Sequence, residues 1–129
     1  MIVADTDVLI DFLRGRAPAA ERVALELAAQ SLGTTAITAF ELRSGARSPR
    51  QQRAVSELLD VLTVLPLTVT EAAIAADLRL ELEKRGEGIG MADYLIAAIC
   101  LSRRAILLTR NRKHFGRVAG LSVATLAGD

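Results

Sequence analysis

Short apolar runs alternate with longer stretches of mixed polarity along this chain. The apolar runs predict buried strands over residues 2–5, 32–37, 64–67, 105–109 and 121–126. Between them, apolar residues recur at helical spacing and predict helices over residues 8–13, 18–30, 38–45, 48–62, 70–85 and 91–104. Strands that alternate with helices favour right-handed crossovers and a parallel sheet. We therefore predict one α/β domain over residues 1–129, with three α/β/α layers around a mostly parallel central sheet.

The composition agrees with a compact domain in a reducing compartment. Hydrophobic residues make up 51% of the 129 residues and aromatic residues only 3%, so the core is built from Ala, Leu, Val and Ile. The one cysteine, Cys100, lies in the apolar stretch LIAAICL, which excludes a disulfide within the chain. Because the sequence has neither a secretory signal nor an apolar run of membrane length, we expect a cytoplasmic protein without a membrane partner.

The charges are unevenly distributed, although the formal net charge is only +1. Between Tyr94 and Gly128 the chain has no Asp or Glu, yet this stretch carries several basic residues: Arg103, Arg104, Arg110, Arg112, Lys113 and Arg117. Such a stretch is typical of a basic patch that binds nucleic acid, and equally of an ordinary solvated surface. Charge alone leaves both interpretations open.

Polar side chains follow or precede three of the predicted strands at the same edge of the sheet. Asp5 ends the first strand, and Glu41 lies one turn into the helix after the second strand. Asp93 is in the first turn of the helix before the fourth strand, and Asn111 comes just after that strand. Because ligands of open parallel sheets bind beyond the carboxyl ends of the strands, we expect these four residues to form a catalytic site.

Carboxylates gathered in this way repel one another unless a cation neutralises them. Oxygen ligands without cysteine suit Mg²⁺, or alternatively Mn²⁺, and a metal of this kind activates water for attack on a phosphoryl centre. We therefore expect Asp5, Glu41 and Asp93 to be metal ligands. Asp7 and Thr109 are expected to support the ligands or to cap helices.

Four segments in order resemble one protein family. The segments IVADTDVLIDFL, ITAFELRSGA, MADYLIAAI and ILLTRNRKHF are similar to those of PIN-domain ribonucleases, and their size and spacing resemble the VapC toxins of bacterial toxin-antitoxin pairs. The resemblance implies a PIN-like fold and a Mg²⁺-dependent endoribonuclease that cleaves structured or translation-related RNA. It also implies a homodimer that is held inactive by a cognate antitoxin. By position, Asp5, Glu41 and Asp93 match the acidic metal-binding residues of the family.

The sequence departs from the family pattern at two positions. Asn111 stands where many members have a fourth acid, which argues against a second tightly bound metal and makes Asn111 a neutral ligand or a substrate contact. Asp7 stands where members usually have Asn, so it adds a negative charge.

Each acid also has an ordinary structural explanation. Asp7 is suited to cap a helix, and Glu41 is the last residue of TAFE, a capping-box pattern. Asp93 in a first helical turn is favoured by the helix dipole, and Asp11 is expected to face solvent or to pair with an arginine. Because three acids are unlikely to reach one edge by coincidence, the metal site is the preferred interpretation.

Other polar residues are assigned to RNA. Arg14, Arg43, Arg110 and Arg112 are expected to contact phosphates, for which the planar guanidinium is well suited, and Arg16 and Arg47 lie nearby in sequence. The only histidine, His114, is conceivable as a general base, but beside Phe115 it is expected to be a packing or RNA-contact residue.

Two other functions compete with the ribonuclease. The opening IVADTDVL also fits a phosphatase of the haloacid dehalogenase type, although the late acidic pair of that family is missing. The chain could also be a noncatalytic PIN-like module that binds RNA or a protein partner. For the antitoxin, we expect grooves beside the apolar helices at residues 18–30 and 48–62.

Overall fold

The computed structural model describes residues 1–126, which form five strands and seven helices. The strands are β1 (Ile2–Ala4), β2 (Leu32–Thr35), β3 (Thr63–Leu65), β4 (Ile106–Leu108) and β5 (Ser122–Ala124). The helices are α1 (Thr6–Leu13), α2 (Ala19–Ala28), α3 (Ala36–Gly45), α4 (Pro49–Val61), α5 (Val69–Lys84), α6 (Met91–Arg103) and α7 (Arg112–Phe115).

The strands form one sheet in the order β3-β2-β1-β4-β5, and every pairing between described residues is parallel. Val3 of β1 lies between Gly33 of β2 and Leu107 of β4. The chain adds strands on one side of β1 first and on the other side afterwards, so the strand order reverses between β1 and β4. The predicted three-layer α/β/α architecture is confirmed.

Alternate side chains of the central strands point to opposite faces of the sheet, and each face has its own core. Val3 and Leu107 are fully buried in the cluster that contains the apolar side chains of α5 and α6. Ala4 and Leu108 are fully buried in the cluster with the apolar side chains of α1, α2 and α4. This alternation is the expected period of a strand covered by helices on both faces.

Several predicted boundaries are wrong by a few residues. Strand β2 ends at Thr35 rather than at residue 37, because the Thr35 side chain accepts a hydrogen bond from the Thr38 backbone N–H and caps α3. Strand β3 ends at Leu65, before Pro66, which has no N–H to donate to a sheet. The last strand covers residues 122–124 only. Residues 127–129 of the predicted domain lie outside the described part of the chain.

Two short-range features differ in kind from the prediction. Helix α1 is capped by Asp5, whose carboxylate accepts from the Thr6 N–H at 2.8 Å, so the prediction that Asp7 caps this helix is wrong. The segment around His114, for which the sequence pattern predicts neither a strand nor a helix, contains the four-residue helix α7, which Asn111 caps.

The basic residues of the acid-free stretch do not form one patch. Helix α6 runs antiparallel to β4, so Arg103 and Arg104 lie near the amino end of the strand. Arg110 and Arg112 follow the carboxyl end of the same strand. The positive charge is therefore divided between the two ends of the sheet.

Cys100 is fully buried, as its apolar neighbours indicate, and burial raises the pKa of its thiol to about 12. This thiol has the character of a small core side chain rather than of a reactive group. None of the helices among residues 1–126 combines the length and the apolarity needed to span a bilayer.

Truncation of Leu107, a fully buried residue of the central strand β4, tests the packing of the core. Leu107→Ala removes a fully buried side chain from the core beneath α5 and α6, so the free energy of unfolding should fall by about 2–5 kcal/mol in urea titrations. Leu25→Ala, at a 64% exposed position of α2, is the matched control and should change it by less than about 0.5 kcal/mol. Equal effects of the two substitutions would contradict the described core.

Candidate functional site

Asp5 lies at the end of β1, beside the point where the strand order reverses. Its backbone N–H donates to the Leu108 carbonyl at 2.9 Å, which fixes the residue against β4. The side chain is only 6% exposed and accepts two hydrogen bonds: from the Thr6 N–H at 2.8 Å and from the Thr109 hydroxyl at 2.6 Å. Both carboxylate oxygens are therefore held by donors that carry no charge.

The electrostatic environment of Asp5 disfavours its negative charge. Burial is the main cause, and the nearby carboxylates of Asp7 and Asp93 add to it, while the hydrogen bonds from Thr109 and Thr6 act in the opposite direction. The net effect raises the pKa of Asp5 from 3.8 to about 7. A cation at this position would compensate the charge that the protein leaves unbalanced.

Glu41 reaches the same edge of the sheet through hydroxyl groups. Its Oε1 accepts a hydrogen bond from Thr6 Oγ1 at 2.6 Å, and the Thr38 hydroxyl lies 3.0 Å from the same Thr6 oxygen. Because Thr6 has one hydrogen and gives it to the carboxylate, the Thr38 hydroxyl donates to Thr6. The capping-box interpretation of Glu41 is wrong, since the cap of α3 is Thr35 and Glu41 bonds to a residue of α1.

Asp93 occupies the first turn of α6, as predicted, and contacts the only histidine. Its Oδ2 lies 2.9 Å from His114 Nδ1. Asn111 accepts from the His114 N–H at 3.2 Å through Oδ1, and its own backbone N–H donates to Thr109 Oγ1 at 3.0 Å. Thr109 thus connects the Asp5 carboxylate to the segment that contacts Asp93.

The three predicted acids belong to one network at the carboxyl edge of the sheet, and we call this group the acidic edge: Asp5, Glu41 and Asp93. Hydrogen bonds run from Glu41 through Thr6 to Asp5, and from Asp5 through Thr109 and the Asn111 segment to Asp93. Within residues 1–126, however, no three His, Cys, Asp or Glu side chains are arranged as a metal-binding group. Each carboxylate is instead turned toward a donor of the protein.

The donor set of the acidic edge fits a hard divalent cation. Its members are carboxylates, one of them buried and destabilised by its neighbours, and the site contains no thiol. Asp7, two residues after Asp5 and in the first turn of α1, has a buried Oδ1 for which residues 1–126 provide no hydrogen-bond partner. Burial raises the pKa of Asp7, although the Arg110 and Val8 backbone N–H groups and the Arg110 charge lower it.

Arg110 is already engaged by an acid of α1. Its guanidinium Nη1 lies 2.7 Å from Asp11 Oδ2, and the Asp11 residue is 8% exposed. The expectation that Asp11 pairs with an arginine is therefore confirmed, while the alternative that it faces solvent is wrong. The predicted RNA contact of Arg110 competes with this ion pair, whereas Arg14, Arg43 and Arg112 are exposed and have no salt bridge among the described residues.

The sequence led us to expect a supporting role for Thr109, which bonds to Asp5, but sequence reasoning missed the hydroxyls of Thr6 and Thr38. Thr6 directly follows Asp5, and its position between two acids was the available signal. Its link to Glu41 spans 35 residues and to Thr38 spans 32, so no local pattern reveals either contact. The contact of His114 with Asp93 was missed for the same reason.

A groove of about 580 Å³ opens beside Glu41. Helices α1, α3 and α4 form its walls, with apolar side chains from each of them and with Arg14 and Arg50 at its surface. A second cavity of about 570 Å³ lies between the ends of α2 and α4, next to the amino ends of β2 and β3. The predicted grooves beside both apolar helices exist, but only the one along α4 reaches the acidic edge.

Comparisons with known proteins agree with this geometry. Residues 2–121 match the model of the PIN domain family. The chain is 31% identical over 121 residues to a tRNA(fMet)-specific endonuclease VapC of Shigella flexneri, with 91% of each chain covered. It is 34% identical over 115 residues to ribonuclease VapC10 of Mycobacterium tuberculosis, covering 89% of this chain and 86% of the relative.

Solved structures with the same fold come from toxin-antitoxin complexes. A chain in the crystal structure of DNA-bound VapBC from Salmonella typhimurium superposes with a TM-score of 0.84 at 26% identity, and the match covers 96% of both chains. VapBC-1 of nontypeable Haemophilus influenzae gives a TM-score of 0.81 at 30% identity, with 97% of this chain and 98% of that chain covered. The acidic edge, the parallel sheet and these relatives together show that the chain belongs to the PIN domain family, as a member of the VapC type.

Proposed function

We propose that this protein is a metal-dependent endoribonuclease and the toxin of a VapBC-type toxin-antitoxin pair. The observation that carries the proposal is the hydrogen-bonded acidic edge, built from three distant segments at the switch point of a parallel sheet. Relatives named as ribonucleases support the same activity. The match to the PIN domain over residues 2–121 argues against the phosphatase alternative, and the noncatalytic module becomes an outcome of the activity test.

Asp5, Glu41 and Asp93 are the residues that would hold the metal, which we propose to be Mg²⁺, with Mn²⁺ as a substitute. The bound ion would activate a water molecule and stabilise negative charge on the phosphate. The protein itself orients the ligands: Thr109 and the Thr6 N–H hold Asp5, and the Thr6 hydroxyl holds Glu41. Asn111 uses its side-chain oxygen to cap α7, which supports a role outside the ligand set and a single tightly held metal.

RNA is proposed to be held mainly by its backbone. The chain has few aromatic side chains for base stacking, while Arg14, Arg43 and Arg112 are exposed and free to contact phosphates. The name of the Shigella flexneri relative, a tRNA(fMet)-specific endonuclease, supports structured, translation-related RNA as the substrate class.

The antitoxin is proposed to occupy the groove formed by α1, α3 and α4. A chain that lies there would cover apolar side chains and end beside Glu41, where it would obstruct the acidic edge. Structures of toxin-antitoxin complexes among the relatives support such a partner. Exposed apolar side chains at Val69, Leu80 and Met91 support self-association as a homodimer.

We further propose that the protein acts in the cytoplasm.

The activity test uses purified protein and transcribed tRNA in Mg²⁺ or in EDTA. Cleavage should require the metal, and Asp5→Asn should lower the rate at least about a hundredfold, because metal stabilisation of the reacting phosphate amounts to several kcal/mol. Asp77→Asn, at an exposed position of α5, makes the same chemical change away from the acidic edge and should retain full activity. Cleavage that survives in Asp5→Asn, or RNA binding without cleavage by the unmodified chain, would contradict the proposal.

The raised pKa of Asp5 predicts a specific pH dependence of stability for the metal-free protein. The folded state keeps a proton on Asp5 up to about pH 7, whereas the unfolded chain releases it near 3.8, so this contribution is full below 3.8 and is lost as the pH rises through 7. Asp5→Asn lacks this titration. In EDTA, the free energy of unfolding of Asp5→Asn minus that of the unmodified chain should therefore increase by about 2–3 kcal/mol between about pH 5 and about pH 8.

Urea titrations of both proteins measure this difference, with Asp77→Asn as the control that should follow the unmodified chain. Addition of Mg²⁺ at about pH 8 should stabilise the unmodified chain and leave Asp5→Asn unchanged. A difference between the two proteins that stays constant with pH would refute the proposed charge environment of Asp5.

A matched pair of substitutions tests the antitoxin groove. Ala54 is an exposed residue of α4 that lines the groove, and Ala54→Glu would place a bulky carboxylate where the partner is proposed to pack. Ala72→Glu makes the same change on α5, on the other face of the sheet. Expression of the unmodified chain or of either variant should arrest growth. Coexpression of the adjacent reading frame, the candidate antitoxin gene, should rescue cells that express the unmodified chain or Ala72→Glu but not those that express Ala54→Glu.

Copurification with the product of that reading frame gives a second measurement if a substitution lowers toxicity. Ala54→Glu should lose at least about tenfold in affinity, since a larger, charged side chain obstructs the apolar contact and its burial beneath the partner costs more than one kcal/mol. Equal binding of the two variants would place the antitoxin elsewhere.

A further inference from the structure

The side chain of His114 is in contact with two groups at the same ring nitrogen. Nδ1 lies 2.9 Å from Asp93 Oδ2 and 3.0 Å from Asn111 Nδ2. We propose that His114 is a positioning residue for Asp93: its Nδ1–H donates to Oδ2 and leaves the other carboxylate oxygen, Oδ1, for the metal. The proposal rests on the proposed function only in naming the metal, because the hydrogen bond itself is a property of the metal-free protein.

The two contacts of Nδ1 exclude each other chemically. A ring nitrogen either carries a hydrogen and donates, or has a lone pair and accepts. Donation to Asp93 requires hydrogen on Nδ1, whereas acceptance from the Asn111 amide requires the lone pair there. The neutral imidazole therefore exists either as the Nδ1–H form, bonded to Asp93, or as the Nε2–H form, bonded to Asn111.

The charge of the partners favours the bond to Asp93. A carboxylate is a stronger acceptor than the imidazole nitrogen, and hydrogen bonds with one ionised partner are about twice as strong as neutral ones. The opposite form would direct the Nδ1 lone pair at a carboxylate oxygen 2.9 Å away, which is repulsive. The Asn111 amide is already oriented by its Oδ1, which accepts from the His114 N–H, so its proximity to Nδ1 does not require a bond.

The same geometry gives Asn111 a function. Its side chain caps α7 and fixes the backbone of His114, so the imidazole is presented to Asp93 from a defined turn. An acid at position 111 would compete with Asp93 for the Nδ1 hydrogen and would add a further negative charge to the acidic edge. The neutral amide avoids both effects while it keeps the cap.

The first experiment determines which nitrogen of His114 carries the hydrogen. Because the chain contains one histidine, ¹⁵N labelling of histidine gives a single imidazole whose two nitrogen shifts identify the tautomer by NMR. Spectra of the metal-free protein, recorded under conditions in which the ring is neutral, should show Nδ1–H. Asp93→Ala should convert the ring to the Nε2–H form, since Asn111 is then the only partner, and Asn111→Ser should leave it as Nδ1–H. A dominant Nε2–H form in the unmodified chain would overturn the proposal.

The second experiment measures Mn²⁺ affinity by calorimetry, independently of RNA cleavage. His114→Phe removes the donor and should weaken binding about tenfold, the lower end of the effects seen when a group behind a metal ligand is lost. His114→Asn should restore binding to within about threefold, because its amide nitrogen can occupy the place of Nδ1 and donate to Asp93. Lys113→Ala, at the exposed neighbouring position of α7, is the control and should bind normally.

Failure of this proposal differs from failure of the proposed function. If the unmodified chain binds Mn²⁺, Asp5→Asn does not, and His114→Phe binds normally, the metal site is present and the positioning role is refuted. If neither the unmodified chain nor Asp5→Asn binds Mn²⁺ while the ring is Nδ1–H, the bond to Asp93 stands but the metal proposal fails.

Discussion

The burial of the Asp5 carboxylate at the end of the central strand is the constraint on which the rest of the site depends. Strand β1 lies between β2 and β4, so the residue that follows it is enclosed by chain on both sides and is almost removed from water. Burial and the neighbouring acids raise its pKa to about 7. A neutral residue at this position would make the fold more stable. A buried acid that lowers stability in this way is typical of a residue kept for function.

The surroundings of the acidic edge hold its carboxylates without neutralising them. Thr6 and Thr109 supply hydrogen bonds of 2.6 Å to Glu41 and Asp5, but hydroxyl groups bring no positive charge. The guanidinium of Arg110, whose charge lowers the pKa of the neighbouring Asp7, is bonded to Asp11 at 2.7 Å. Because Arg110 is engaged by Asp11, its charge does not neutralise the carboxylates of the acidic edge. Their negative charge is therefore available to a metal ion that binds reversibly.

The features that sequence patterns predicted are those that depend on periodicity and on strand ends. Because β1 and β4 are parallel neighbours, Asp5 and the segment of Asn111 lie at the same edge of the sheet regardless of the contacts of their side chains. Their location could therefore be predicted from the order of the strands and helices. The contacts of the acids did not follow, because Thr6 and Glu41 are 35 residues apart and Asp93 and His114 are 21 apart. Helix α7 has only four residues and is too short to show a helical period, and the caps at Asp5 and Thr35 were assigned two or three residues too late.

The two residues that the sequence led us to regard as departures from the family pattern, Asp7 and Asn111, differ in their effect on the charge of the site. Asp7 is a carboxylate that raises the pKa of Asp5, whereas Asn111 is a neutral amide whose Nδ2 lies 3.0 Å from His114 Nδ1. A third or fourth uncompensated charge near Asp93 would increase the repulsion that already disfavours ionised Asp5. In the proposed arrangement the neutral amide caps the turn that presents His114 to Asp93, so Asn111 influences the orientation of a proposed ligand without adding charge. Fewer ligands that are well oriented provide an alternative to a larger set of mutually repelling ones.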